Sequence, residues 1–130
     1  MQEYLFAYGT MQGAHAPREI LPLLEKLHYV AEASVRGVLY DMGDYPGAVL
    51  DSSSEHRVFG MVFKILDGAS TLPELDRYEE FDPQAPSDSL FVRVLQPVEL
   101  ESGQVLPCWI YHLNRDPGIA PVIVQGRYSK

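Results

Sequence analysis

A single cysteine, Cys108, stands in 130 residues. That excludes an intrachain disulfide, a CxxC redox pair and a thiolate cluster for zinc. Basic side chains are scarce as well: ten Lys and Arg face eighteen Asp and Glu, for a formal net charge of −8. A nucleic acid or an anionic membrane surface as main partner is disfavoured, because either calls for a concentrated positive face. The histidines His15, His28, His56 and His112 show no HxH or HExxH spacing, so no metal site is expected. No apolar run approaches the roughly 18–20 residues of a membrane span, and "MQEYLFAYGT" has neither a basic n-region nor a sustained apolar core. The expectation is a soluble, cytoplasmic protein. Repeats and low-complexity tracts are absent, and the prolines and glycines are scattered and form no linker, so residues 1–130 read as a single domain.

What is present is enough apolar material for a core: 46% of residues are hydrophobic. "EYLFAYG" reads as a first strand buried on both faces, followed at once by a glycine-containing turn. Ile20, Leu23, Leu24 and Leu27 then fall at helical spacing, with Pro17 in the first turn and Pro22 shortening or kinking the helix. "YVAEASVRGVLYDM", "HRVFGMVFKIL", "SLFVRVLQPVEL" and "QVLPCWIYHL" read as strands, the last two joined by "ESG" as a hairpin. A short apolar run after the loop "GDYPG" adds a further candidate strand. "STLPELDRYEEFDP" reads as the best-marked helix, with Thr71 and Glu74 at capping-box spacing and Pro73 in its first turn. The fold class is α+β: a small mixed β-barrel of five to seven strands with two short flanking helices, because closure removes edges that a small domain must otherwise protect. A split α+β sandwich is the alternative.

On that second helix Leu72, Leu75 and Glu79 share one side at about 100° per residue. A carboxylate on the apolar side loses hydration, which raises its pKa toward neutrality, where it can take and return protons. The plainer alternative for Glu79 is an ion pair with an arginine such as Arg93. Cys108, beside Trp109 in a strand, reads as a small buried hydrophobe, and Trp109 and Tyr111 as an apolar wall on one strand face.

"YGT" directly after the first strand, "GDYPGAV" near position 45 and "LDRYEEF" on a helix, in this order, resemble the γ-glutamylcyclotransferase-like superfamily, in its γ-glutamylamine cyclotransferase and AIG2-like branch. The resemblance covers nearly the whole chain. It implies a small barrel without metal or organic cofactor that takes a small γ-glutamyl substrate and releases the γ-glutamyl group as 5-oxoproline. It also implies Glu79 as catalytic acid and base, and Tyr8, Gly9, Thr10, Met11, Tyr45 and Pro46 as substrate-binding residues. Helix spacing and the resemblance select the same glutamate. Glu80 stands where the family often has glycine, and Phe91 at what looks like a common tyrosine position. Backbone N–H groups of the Gly9–Met11 turn can cradle an anion without a lysine, which reconciles an acidic protein with an anionic substrate. The rival from another class is a non-catalytic ligand- or protein-binding module on the same fold.

Overall fold

Strand β1, Glu3–Ala7, is apolar on both sides because both sides are covered. Leu5 and Ala7 enter one core cluster, with Leu27, Phe63, Leu75 and Tyr111; Phe6, with Tyr8 just beyond the strand, enters another, with Val35, Val58, Val62, Val98 and Ile110. The computed structural model describes residues 2–9 and 21–128. After β1 come α1 (Leu21–Leu24), β2 (Leu27–Asp41), β3 (Pro46–Leu50), β4 (Arg57–Ile65), α2 (Gly68–Tyr78), a 3₁₀ turn at Pro86–Asp88, β5 (Phe91–Leu100) and β6 (Val105–Leu113). No helix among the described residues is long and apolar enough to cross a membrane.

The strands close in the order β2, β4, β1, β6, β5, with β5 returning to β2 through Ala33↔Leu100 and Ser34↔Glu99. β1 and β6 run parallel at Leu5↔Trp109, and every other pairing is antiparallel. The sixth strand, β3, hangs on the far half of β2, from Gly37↔Leu50 to Asp41↔Pro46. The closed five-strand barrel with one added strand and two helices is the α+β mixed barrel expected, and the sandwich alternative does not form. β2 serves three neighbours, and the register shift between Tyr29 and Ala31 marks a bulge that bends it around the ring. Behind β4 the chain returns closely: Gly126 has φ 71°, and a Cβ there would meet the Arg57 carbonyl oxygen at 1.9 Å, so only glycine fits. Phe59 N–H donates to the Gly126 carbonyl at 2.8 Å.

Two helix boundaries differ from the sequence expectation. Leu27 does not continue α1 but opens β2, where pairing with Ile65 and burial outweigh its helical spacing; Pro17 and Ile20 lie outside the described residues. Helix α2 begins at Gly68 after Asp67, so Thr71 and Glu74 form no capping box. Thr71 is instead fully buried inside the helix, its hydroxyl donating to the Leu66 carbonyl at 2.6 Å. Leu75, on the next turn, is also fully buried and fixes the helix on the outside of the barrel, a contribution of about 1.5–3 kcal/mol.

Candidate active site

The end of β1, the start of β3, β6 and the C-terminus of α2 surround a cavity of about 210 Å³. Tyr8, Gly9, Tyr45, Pro46 and Glu79 all line it. Thr10 and Met11 lie outside the described residues. Gly9 is where the chain leaving β1 passes Pro46: a Cβ there would sit 3.1 Å from the proline Cγ, so a side chain would push the two cavity walls apart. Tyr45 packs edge-to-face on Phe91, ring centroids 5.9 Å apart, which gives the cavity an apolar flank. The His112 Nδ1 accepts a hydrogen bond from Leu50 N–H at 3.1 Å.

Glu79 owes its position to the way α2 ends. It is the C-cap residue, its N–H bonded to the Leu75 carbonyl. Glu80 follows at φ 56°, and the Glu80 and Phe81 amides return to the carbonyls of Arg77 and Asp76 at 3.2 and 2.8 Å. This is a Schellman closure with glutamate in the left-handed position that glycine normally takes. It stops the helix so that the Glu79 side chain borders the cavity. Burial beside apolar walls, with a smaller push from the neighbouring Glu80 charge, raises the Glu79 pKa from 4.5 to about 7. The alternative pairing is not found. Arg93 goes to Asp76 instead, Nε to Oδ1 at 2.8 Å and Nη2 to Oδ2 at 3.3 Å.

Replacing Glu80 by glycine is expected to relieve the left-handed strain and stabilise the fold by about 0.5–1 kcal/mol. It also removes the like charge beside Glu79, so the Glu79 carboxyl should titrate at lower pH. Urea unfolding and carbon-detected NMR titration of the carboxyl check the two halves.

Behind the cavity lies a network that sequence reasoning did not assemble. Asp76, 4% exposed, accepts from Arg93 and from the Tyr111 hydroxyl, the latter at 2.7 Å. The Arg93 guanidinium lies over the Trp109 ring, 4.4 Å from its centroid, a cation–π contact that shields the pair from water. Trp109 in turn donates its Nε1–H to Glu3 at 3.1 Å. The expected aromatic wall therefore divides: Tyr111 lines the cavity, whereas Trp109 carries the arginine. Tyr8 donates to the backbone oxygen of Tyr111 and accepts from Ala48 N–H at 3.2 Å. Both phenols are pushed well above the usual tyrosine range, first by burial, then by the Glu79 charge at Tyr8 and by the Asp76 hydrogen bond at Tyr111. Both therefore keep their protons at neutral pH. Cys108 is fully buried as expected, and burial pushes its thiol up to about 12, far from the thiolate a nucleophile needs.

The family model of gamma-glutamyl cyclotransferase, AIG2-like proteins matches residues 5–130. The chain belongs to that family. No curated protein matches it. Among solved structures, an AIG2-like protein from Mus musculus superposes with TM-score 0.74 at 17% identity, covering 98% of this chain and 88% of that one. YkqA from Bacillus subtilis gives TM-score 0.73 at 21% identity over 98% of this chain, which spans only 40% of YkqA's length. A structure described as gamma-glutamyl cyclotransferase gives TM-score 0.63 at 16% identity, covering 94% of this chain and 70% of that one. At these identities the likeness speaks for the fold, and the family barrel is the one described above.

Proposed function

We propose that this family member is a cyclotransferase that releases a γ-glutamyl group as 5-oxoproline from a γ-glutamyl amine or γ-glutamyl peptide. The observation that carries the reading is Glu79, with its pKa near 7, on the wall of the cavity that the Tyr8–Gly9 turn also borders. In a γ-glutamyl compound the α-amine can attack its own γ-carbonyl. The new N–C bond closes a five-membered ring, and the bond to the leaving amine breaks. Holding the substrate folded makes this attack unimolecular and removes much of its entropic barrier, so no protein nucleophile is needed. The three protons of the α-ammonium become one on the ring nitrogen. A carboxyl poised near neutrality can accept one of the two that leave and return it to the departing nitrogen, while the other goes to solvent or converts the freed amine to its ammonium.

In this reading Gly9, with Thr10 and Met11, directs backbone N–H groups at the substrate α-carboxylate or the developing oxyanion. The Tyr8 hydroxyl is spent on the protein's own backbone, so Tyr8 anchors the turn and offers its ring to the substrate. Tyr45 and Pro46 form the facing wall. No step calls for a metal or an organic cofactor, and the reading is of a cytoplasmic, single-domain enzyme.

The test is 5-oxoproline release from a panel of γ-glutamyl amines, γ-glutamyl dipeptides and glutathione. Release from one class confirms the activity and names the leaving group. Silence across the whole panel from folded protein would overturn it in favour of a binding module.

A further inference from the structure

Four tyrosines line the cavity, and two of them, Tyr8 and Tyr111, give their phenol protons to the protein itself. Tyr8 gives its proton to the Tyr111 carbonyl oxygen. Tyr111 gives its own to Asp76, and the direction of that bond is fixed: a carboxylate already paired with Arg93 has no proton to donate, so the phenol must be the donor. A phenol oxygen that donates its only proton keeps lone pairs free to accept. Asp76 and Glu79 are three residues apart at the end of the same helix, with Cβ atoms on the order of 5–6 Å from each other. The Tyr111 phenol feels the Glu79 charge, and both residues line the same cavity. Two acceptors on the wall of one cavity, the Tyr111 oxygen and the Glu79 carboxylate, match a ligand group that donates: an ammonium.

We propose that Tyr111 is a substrate-binding residue whose phenol oxygen accepts a hydrogen bond from the substrate α-ammonium beside Glu79, and that Asp76 and Arg93 are positioning residues that fix the hydroxyl in this polarity. The proposal rests on the γ-glutamyl reading above for the identity of the ligand. It adds a division of labour: Glu79 takes one of the ammonium protons while Tyr111 holds another, which keeps the nitrogen aimed at the γ-carbonyl as the first proton leaves. The Asp76–Arg93 pair matters because an uncharged partner at position 76 could itself donate, and the phenol proton would then be free to turn into the cavity and meet the ammonium head-on.

The test uses equilibrium binding of L-glutamate, which carries the α-ammonium, and glutarate, which lacks it. Wild type is expected to prefer L-glutamate. Tyr111→Phe is expected to cut that preference about tenfold or more, the worth of a hydrogen bond to a charged group, while leaving glutarate affinity unchanged. Asp76→Asn is expected to cut the preference as Tyr111→Phe does although it keeps the ring. Should Asp76→Asn fail to fold, the Tyr111→Phe comparison decides alone. An unchanged preference in Tyr111→Phe, or an equal loss for both ligands, overturns the proposal, since a merely structural tyrosine would treat the two ligands alike. The readout is independent of turnover. A silent 5-oxoproline panel beside an intact preference for L-glutamate would sink the cyclotransferase reading and leave the ammonium site standing.

Discussion

Glu79→Gln is expected to lower 5-oxoproline release by about 10²–10⁴-fold and, in the same protein, to strengthen the fold at alkaline pH. The first effect follows because glutamine can neither accept nor return a proton. In wild type kcat/KM should fall about tenfold per pH unit below about 7, where Glu79 is protonated before substrate arrives. The second effect follows from linkage. The folded carboxyl titrates near 7 and the unfolded one near 4.5. Below pH 4.5 both states hold the proton, and the group imposes no penalty on the fold. Between 4.5 and 7 the unfolded chain releases its proton and the folded chain keeps it, so stability drains away as pH rises. Above 7 the loss is complete, at about 2–3 kcal/mol for a group facing an open cavity. Glutamine removes this loss, so the variant should gain far more over wild type at pH 8 than at pH 4 in urea unfolding. A rate within tenfold of wild type removes Glu79 from the proton transfer. Equal stability differences at the two pH values show that the cavity does not desolvate it.

Asp76→Ala is expected to be the most damaging single stability change near the site, at about 3–5 kcal/mol. The Arg93 side chain is 16% exposed and that of Asp76 6%. Truncating the acid strands a guanidinium between Trp109 and the helix and leaves the Tyr111 hydroxyl without its acceptor. Replacing Arg93 by methionine in the same chain should recover most of the loss, because no buried charge is then left unpaired. Chemical denaturation of the two single variants and the double variant measures the coupling. If Asp76→Ala costs under 1 kcal/mol, water reaches the arginine and the network is not sealed.

The sequence revealed what is local and missed what is shared between distant segments. Glu79 was visible because helical spacing alone sets it beside Leu75, and because that position coincides with a family pattern carried by "LDRYEEF". The mixed barrel followed from strand-like runs too numerous to leave edges open. Asp76 lies in the same motif, yet its partners Arg93 and Tyr111 come from β5 and β6, and no spacing within the helix announces an ion pair across a barrel wall. The start of α2 was misread for the opposite reason. Thr71 and Glu74 make an attractive local cap, but Thr71 found a better acceptor in the carbonyl of Leu66, and burial overruled the motif. Leu27 kept helical spacing in the sequence and lost it to pairing with Ile65. The turn after β1 was legible as a break, and only Tyr8 and Gly9 of its four expected residues fall within the described structure.

The closure of the ring is uneven. β2 and β4 pair from Leu27↔Ile65 to Arg36↔Arg57, and β5 and β6 along almost their whole lengths, whereas β5 meets β2 only at Ala33↔Leu100 and Ser34↔Glu99. Across that seam Arg57 is braced, donating to Ser34 at 2.9 Å and to Glu99 at 2.7 Å. A barrel of this kind has a stiff arc and a latch. Opening is cheapest where the fewest backbone bonds must break, and the hairpin of β5 and β6 is held at both of its edges by short ladders, β5 to β2 at two pairs and β6 to β1 at Leu5↔Trp109. Arg93 and Tyr111 belong to that hairpin and Asp76 to the helix, so the buried ion pair bolts the hairpin down where its ladders are short.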